Sequence, residues 1–372
     1  MKDKKAGRII ILAAFILLVC FSKGVWIMFG KYFDSTNYEN RELASKPEFT
    51  TENYLNFSSE YTDYVNDHLQ FRNYLISLNA DIDCFVFKKS SNNDVIVGND
   101  NWLFYSSVSD GDPLACYQGT DLLTEEELEA IAQNCLKQRD FLAEQGKEFV
   151  IFIAPNKERI YPEYMPKHYG EPAENYSALQ IYNYLIENTD IRVVYPYEDL
   201  INAKKLLREN IYYKADTHWN SIGAYIGTYA LMEELGVYMP SIYSNDLRIN
   251  VLGSAEWMDL ANMLNLRHYM LFADSEYSVE GYNPHDCIEL EYDFRGVYRY
   301  RSVNSDKRRL YVIRDSFGAA MAPYLGSQFD NSYMRYFRTY TYEDYISFDP
   351  DIVVFETVER YASERLLTFS IQ

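Results

Sequence analysis

The sequence predicts an α/β fold in which a mostly parallel sheet is covered by helices on both faces. From Thr124 onward, helical segments alternate with short apolar runs such as "FVIFIA" and "IVVF". These runs are apolar without interruption, as expected of strands that are buried on both faces of a sheet. Sheets of this kind bind substrates beyond the carboxyl ends of their strands, and we therefore look for a site there.

The composition limits the classes of function. The chain has 372 residues, of which 48% are hydrophobic, so it can form a large core. Its formal net charge is -20, which argues against nucleic acid as a partner because phosphate backbones would be repelled. The 36 tyrosines suit contacts with sugar rings, although half-buried packing explains such residues equally well.

The N-terminus predicts a membrane anchor at residues 1–30. A cluster of basic residues precedes an apolar run at 9–21, and apolar character resumes at 25–29. No small-x-small cleavage site follows, so we expect an uncleaved single-pass helix with Lys23 at the interface. A cleavable signal peptide is the alternative. Both interpretations place the rest of the chain outside the cytoplasm, since positive charge stays inside.

Two further regions follow the anchor. Residues 31–90 are predicted to be a linker with packing helices, because apolar residues from Phe71 to Val86 recur with a helical period. Residues 91–372 form the predicted α/β domain. Its first element is a predicted hairpin in the stretch "VIVGNDNWLFY".

Each element of the α/β domain has its own sequence signal. Thr124 and Glu127 form a capping box that starts a helix, and Gly146 can end that helix before the strand "FVIFIA". The remaining predicted elements are, in order, a helix at 177–188, a strand at 191–195, a helix at 199–210, a short strand at 211–214, a helix at 221–235, the strand "RLYVI" ending at Ile313, a helix from about Phe317 and a strand at 352–355.

Polar segments follow three of these strands: "APNKERIYPEYMP", "ADTHWN" and "RDSFGAAM". In the last of them, Ser316 stands between a strand and a helix. Its hydroxyl would lie at the positive end of the helix, and its own N–H would be available to a developing oxyanion. The alternative is that Ser316 only caps the helix.

Asp216 and His218 stand two residues apart in a predicted extended loop, so their side chains point to the same side. The carboxylate could accept the Nδ1 proton of the imidazole and leave Nε2 to activate Ser316, as in a catalytic triad. Two alternatives stay open at this point. Asp216 could cap the helix that starts near Ser221, or Asp216 and His218 could bind a metal, although no nearby His or Cys cluster completes a ligand set.

Several stretches resemble a known family. "DTHWN", followed about a hundred residues later by "RDSFG", resembles the DHHW and AlgX/AlgJ-like proteins, which are SGNH-hydrolase-like and related to alginate O-acetyltransferases. Further blocks resemble that family in the same order over most of the chain: "ENRELASKPEF", "NDHLQFRNYLISL", "VIVGNDNWLFY", "APNKERIYPEYMP" and "MDLANML". The resemblance implies a three-layer α/β/α domain of the SGNH-hydrolase type.

The resemblance also implies a reaction. Asp216 and His218 match the family's D-x-H pair, and Ser316 matches its nucleophile. Family members take an acetyl group on the serine and pass it to a hydroxyl of an exported polysaccharide, commonly with a membrane-bound O-acyltransferase as donor. No metal and no cofactor are expected. Two positions depart from the family pattern: Arg314 stands where a GDS motif has Gly, and Met258 precedes Asp259 where a GDL block has Gly.

Other residues have less certain roles. Asn262 or Asn156 is expected to supply the second oxyanion donor, although either could be an ordinary loop or capping residue. Trp219 could pack beneath the loop or stack on a sugar. Glu359 and Arg360 could form a structural ion pair or face the cleft.

Three functions remain open on the sequence. The first is an extracytoplasmic O-acetyltransferase held at the membrane by the N-terminal helix. The second is a carbohydrate acetylesterase with the same triad, in which water replaces the sugar hydroxyl. The third is a noncatalytic protein for glycan binding or assembly.

Overall fold

The structure is a computed structural model that describes residues 21, 23–33, 42–255, 258–266, 274–282, 287–293, 296–303 and 306–372. The chain divides into two compact units, one of residues 1–86 and 265–268 and the other of residues 87–264 and 269–372. Most of the predicted anchor, residues 1–20 and residue 22, lies outside the described part. None of the helices in the described part has the length and apolar character needed to cross a membrane.

The described residues of the first unit are helical at 23–29 and in two further segments, α1 (Phe57–Asp67) and α2 (Arg72–Asp81). α2 continues as a π-helix over Ile82–Val86. The helical period that the sequence displays is therefore present. Packing is uneven along α2: Ala80 is buried and Tyr74 packs edge-on against Phe33, whereas Leu75 and Leu78 are about half exposed, at 50% and 49%.

The second unit contains the remaining elements. Its strands are β1 (Val95–Val97), β2 (Leu103–Tyr105), β3 (Glu148–Ala154), β4 (Arg192–Val194), β5 (Arg248–Ser254), β6 (Ser275–Glu280), β7 (Cys287–Asp293), β8 (Val297–Ser302), β9 (Asp306–Arg314), β10 (Phe329–Tyr336) and β11 (Ile352–Val358). Its helices are α3 (Pro113–Gln118), α4 (Glu125–Ala143), α5 (Lys157–Ile160), α6 (Ser177–Asn188), α7 (Tyr197–Leu206), α8 (Ser221–Leu235), α9 (Asp259–Met263), α10 (Ser316–Gln328), α11 (Tyr342–Phe348) and α12 (Ala362–Thr368).

Seven of the described strands form the main sheet, in the order β4-β3-β11-β9-β10-β8-β7. The first five run parallel, whereas β8 pairs antiparallel with β10 and β7 pairs antiparallel with β8. The sheet is thus mixed, and the sequence prediction of a mostly parallel sheet did not include its antiparallel edge. The residues of β7 are largely exposed, so this strand lacks the continuous apolar run that identified the others.

The core lies on both faces of the sheet. In β3, the side chains of Val150 and Phe152 pack with α8 and α10 on one face, while those of Ile151 and Ile153 pack with α4 and α6 on the other. This division follows from the alternation of side chains along a strand. Helices therefore cover both faces, and the fold is the three-layer α/β/α arrangement that the sequence predicted.

Two local predictions also match the structure. β1 and β2 pair antiparallel as the predicted hairpin, with Val97 opposite Leu103. Thr124 and Glu127 form both hydrogen bonds of a capping box at the start of α4.

The predicted strand at 211–214 is wrong. Among the described residues, its one strand-like pairing is an isolated bridge between Tyr212 and Trp219. The segment folds back on itself, because the N–H of Asn220 donates to the carbonyl of Ile211 and the N–H of Tyr213 donates to the carbonyl of His218. Asp216 and His218 therefore lie in a tight loop that leads into α8, and they do not follow a strand of the sheet.

Candidate active site

Ser316 is the first residue of α10, directly after β9 and Asp315, and it is exposed. Asp315 caps the helix by accepting a 2.8 Å hydrogen bond from the N–H of Phe317. Its other oxygen accepts from the N–H of Val358 in β11, at 2.9 Å, and from the guanidinium of Arg365. The helix cap is therefore Asp315, and the hydroxyl of Ser316 is left for other contacts.

The loop with Asp216 and His218 has its own helix cap. Asn220 accepts hydrogen bonds from the N–H groups of Ile222 and Gly223 at the start of α8. The alternative in which Asp216 caps this helix is therefore wrong. Asp216 instead accepts from the backbone N–H of His218 at 3.0 Å and from its Nδ1 at 2.6 Å.

The three residues meet at one edge of the sheet. Nε2 of His218 lies 2.8 Å from Oγ of Ser316, and Nδ1 of the same ring lies 2.6 Å from Oδ1 of Asp216. A carboxylate can only accept at this distance, so Nδ1 carries the proton and Nε2 is the acceptor for the serine hydroxyl. This is the geometry of a nucleophile, a base and a residue that orients the base.

The ionisation of the pair suits this arrangement. Burial alone would raise the pKa of Asp216, but the charge and hydrogen bonds of His218 and the N–H of Asp259 lower it to about 2. Burial alone would lower the pKa of His218, but the charge and hydrogen bond of Asp216 raise it above its ordinary value. Asp216 is therefore ionised at neutral pH, where it can stabilise an imidazolium.

Asp259 is a site residue that the sequence reasoning missed. Its backbone N–H donates to Oδ2 of Asp216 at 2.8 Å, and its side chain accepts from the N–H of Thr217 at 2.8 Å and from the Thr217 hydroxyl at 2.5 Å. Its Oδ2 lies 3.7 Å from Nδ1 of His218. Burial and the charge of Asp216 raise the pKa of Asp259. The block "MDLANML" indicates this region in the sequence, but its predicted site residue was Asn262.

Asp216, His218 and Asp259 also form the group that comes nearest to a metal site among the described residues, with one ligand atom from each within 4.8 Å of the others. Two of these atoms, Nδ1 of His218 and Oδ1 of Asp216, are 2.6 Å apart. Two ligand atoms of one tetrahedral zinc ion, each about 2.1 Å from the metal, lie more than about 3 Å from each other. The pair is therefore arranged for a hydrogen bond.

Lys157 is a second residue that the sequence reasoning missed. It is buried at the start of α5, and Nζ donates to the carbonyls of Tyr213 and Lys214 at 3.2 Å and of Asp216 at 2.5 Å. Burial lowers its pKa, although neighbouring carboxylates oppose this. The ammonium thus holds the backbone of the loop that contains Asp216.

The structure also shows the surroundings of Trp219, Glu359 and Arg360, for which the sequence left two roles open. Trp219 is only 1% exposed, its indole N–H donates to the carbonyl of Phe317, and its ring packs edge-on against Phe317. Stacking of Trp219 on a sugar is therefore wrong, because no face of the ring is open, and packing is its role. Glu359 forms a buried ion pair with Arg159 at 3.0 Å and is structural, whereas Arg360 forms no ion pair with any described residue.

The two asparagines differ in their surroundings. Asn156 follows β3 and is 2% exposed, and within the described part of the chain neither Oδ1 nor Nδ2 of its amide has a hydrogen-bond partner. Asn262 lies in α9, one turn after Asp259, and is half-buried.

Comparisons with known proteins agree with this architecture. The family described as "SGNH hydrolase-like domain, acetyltransferase AlgX" matches residues 95–268. A probable alginate O-acetylase AlgJ of Pseudomonas putida is 31% identical over 140 residues, which cover 37% of this chain and 33% of that protein. The match thus spans about a third of the length of this relative.

Two solved structures share the fold. PatB1 of Bacillus cereus has a TM-score of 0.55 at 16% identity, covering 75% of this chain and all of that chain. A DHHW family protein of Eubacterium siraeum has a TM-score of 0.51 at 15% identity, covering 73% and 97%.

The three-layer α/β/α arrangement, with Ser316 at the carboxyl end of β9, defines an SGNH-hydrolase-like α/β domain. Residues 95–268 match the AlgX model of SGNH-hydrolase-like domains, and the resemblance to AlgX/AlgJ-like and DHHW proteins that the sequence blocks predicted is confirmed over this part of the chain.

Proposed function

We propose that the chain is an O-acetyltransferase that passes an acetyl group through Ser316 to a hydroxyl of a polysaccharide outside the cytoplasm. The observation that supports this most directly is the continuous chain of hydrogen bonds from Asp216 through His218 to Ser316. The match of residues 95–268 to a domain family that is described by an acetyltransferase supports acetyl as the group transferred. The name of the AlgJ relative, a probable alginate O-acetylase, supports a polysaccharide as acceptor.

The reaction has two steps. Oγ of Ser316 attacks the carbonyl carbon of an acetyl donor while its proton moves to Nε2 of His218, and the bond from the acetyl carbon to the donor oxygen then breaks as His218 returns the proton to that oxygen. In the second step a sugar hydroxyl gives its proton to Nε2 and attacks the acetyl carbon. The bond to Oγ breaks, and Ser316 recovers its proton.

The oxyanion in both steps needs hydrogen-bond donors. The N–H of Ser316 lies in the first turn of α10, where backbone N–H groups have no partner within the helix. Asn262 and Asn156 are the proposed sources of the second donor. Replacing each by Ala and comparing the acylation rates distinguishes them, because loss of one such donor costs about 10²–10³-fold.

The test of the proposed function uses the full chain in detergent with an activated acetyl ester and intact-mass measurement. We expect a transient gain of one acetyl group, and Ser316→Ala should lose on the order of 10⁴-fold in rate. Ser347→Ala removes an exposed hydroxyl in α11 and is the matched control. An unchanged rate in Ser316→Ala would contradict the proposal.

Acceptor oligosaccharides separate transfer from hydrolysis. Acetylated sugar as the product supports the acetyltransferase, whereas free acetate as the sole product supports the esterase. A noncatalytic glycan-binding protein would give neither product and no acetyl adduct.

The proposed location and donor rest on the sequence. The basic cluster and apolar run at 1–30 support a single-pass anchor with the α/β domain outside the cytoplasm. A membrane-bound O-acyltransferase would then deliver acetyl groups across the membrane to Ser316. Protease added to intact cells should cleave the α/β domain, and protection of that domain would contradict this location.

A further inference from the structure

Arg360 lies beside the proposed active site. It follows β11 in the short helical turn Glu359–Tyr361. β11 is the neighbour of β9, whose end leads to Ser316, so both segments reach the same edge of the sheet. The guanidinium carbon is 5.9 Å from the ring centre of Phe317, and the same ring lies 4.9 Å from that of His218.

The guanidinium has aromatic neighbours, and it forms no direct ion pair in the part of the chain that the structure describes. Besides Phe317, it lies 5.5 Å from the ring centres of Tyr105 and Tyr361. Within the described residues it forms neither an ion pair nor a hydrogen bond, and its Nε is buried without a partner. A half-buried charge in this state is unusual, because such groups are normally paired within the protein or with a ligand.

Two carboxylates that interact with the charge of Arg360, Asp110 and Glu158, are engaged elsewhere. Glu158 accepts a 3.0 Å hydrogen bond from the N–H of Tyr105. Asp110 accepts a 2.8 Å hydrogen bond from the hydroxyl of Tyr105 and a second hydrogen bond from the hydroxyl of Tyr361. The hydroxyl groups of the two tyrosines thus donate to Asp110, while their rings lie next to the guanidinium of Arg360. Gly111 lets the same loop lie against the stem of Arg360, because a Cβ there would come within 3.0 Å of Arg360 Cγ and the residue has a φ of +82°.

This arrangement leaves a cation close to the site in a strongly acidic protein. The net charge of -20 repels an acidic polymer, so a local cation is needed to hold an acidic sugar at the site. A guanidinium pairs with the two oxygens of a carboxylate or phosphate in a fixed geometry. Its charge also acts on His218, since Arg360 opposes the rise in the pKa of that imidazole.

We propose that Arg360 binds an anionic group, a carboxylate or a phosphate, on the acceptor glycan and so selects acidic glycans as acceptors. This inference rests on the proposed acetyl transfer at Ser316. Arg360 is a substrate-binding residue in this proposal and takes no part in moving the proton or the acetyl group.

Binding is tested first, because it does not depend on catalysis. Full-length Ser316→Ala protein is titrated with an oligosaccharide of uronic acids, with its carboxyl-reduced neutral counterpart of the same length, and with a phosphorylated glycan. Adding Arg360→Gln should weaken binding of an anionic ligand about ten- to hundredfold and leave the neutral ligand unchanged. A loss of affinity for the uronic-acid oligosaccharide identifies a carboxylate as the group bound, and a loss for the phosphorylated glycan identifies a phosphate.

Two controls accompany the titration. Arg360→Lys keeps the positive charge but lacks the planar guanidinium that can bind two oxygens at once, so it should give an intermediate affinity. Arg309→Gln removes an arginine from the opposite end of the sheet, where Arg309 pairs with Asp349, and should change neither affinity. Equal losses for charged and neutral ligands, or no loss for any of them, would overturn the proposal.

Kinetics then separate this inference from the proposed function. In protein with Ser316 intact, Arg360→Gln should raise KM for the acidic acceptor about tenfold or more, with a much smaller change in kcat. If the native chain forms no acetyl adduct at all, the proposed function fails while the binding titration still decides the role of Arg360.

Discussion

The backbone N–H of Asp259 donates a 2.8 Å hydrogen bond to Oδ2 of Asp216, while the side chain of Asp259 lies 3.7 Å from Nδ1 of His218. One residue thus fixes the carboxylate that orients the proposed base and adds a negative charge near its ring. The α9 segment is in this way part of the site, although it is distant in sequence from both His218 and Ser316.

Asp259→Asn should lower the pKa of His218, because the charge of Asp259 helps to raise it. His218 must be neutral to accept the serine proton, so activity rises with pH through the pKa of His218. The lower limb of the pH–rate profile should therefore move to lower pH in this variant. Asp140→Asn in α4 serves as the control and should leave the limb in place. A limb that moves to higher pH would contradict this assignment.

Asp216→Asn should have a much larger effect. An amide can donate to Nδ1, which favours the wrong tautomer of His218 and leaves Nε2 protonated. We expect kcat/KM for ester cleavage to fall by about 10³–10⁴-fold. Circular dichroism and thermal melting check that the variant is folded. A loss below tenfold in a folded variant would mean that Asp216 does not orient the base.

Lys157→Met should loosen the loop that contains Asp216. Three carbonyls lose a charged donor, and at least one of them becomes a buried acceptor without a partner. The free energy of unfolding should fall by about 2 kcal/mol or more, and activity should fall even where the variant is fully folded. Lys307→Met, at an exposed position, should cost less than about 0.5 kcal/mol. Urea unfolding and ester cleavage measured on the same samples give both quantities, and full activity in the folded variant would refute this role of Lys157.

Glu356→Gln should become relatively more stable as the pH rises. Burial and the charge of Asp315 hold the pKa of Glu356 well above its usual value. A raised pKa in the folded state stabilises the fold below about pH 4.5, and this stability is lost as the pH rises through the folded value. Glutamine stays neutral and can still accept the 2.7 Å hydrogen bond from the N–H of Asp315.

Melting curves from pH 4 to pH 9 test this. The Tm of Glu356→Gln should exceed that of the native chain by about 2 °C or more at pH 9 and should match it near pH 4. Glu129→Gln, at an exposed position in α4, should show no such trend. A growing disadvantage of Glu356→Gln at high pH would contradict the assigned direction.

The sequence predicted those parts of the fold that have local signals. The capping box at Thr124 and the apolar runs of β3, β9 and β11 identify themselves within a few residues. β7 could not be found in this way because most of its residues are exposed and its partner is fixed only by the folded sheet. The segment at 211–214 is apolar like a strand, but Tyr212 is buried in a loop that pairs with itself.

The site could be predicted only in part for a related reason. Asp216, His218 and Ser316 use their side chains, and side-chain chemistry is visible in a sequence. Lys157 acts on backbone carbonyls, and Asp259 acts partly through its own N–H, so nothing in their residue types reveals these partners. The membrane anchor at 1–30 stays a prediction, since most of it lies outside the described residues.

The last strand in the chain, β11, is the middle strand of the five parallel ones and separates β3 from β9. During synthesis, β3 and β9 therefore cannot be joined in the sheet until Ile352–Val358 have left the ribosome. Ser316 and the loop that contains Asp216 would therefore be brought together late in folding. A nascent or truncated chain that lacks this strand would expose two apolar strand edges and would be prone to aggregation.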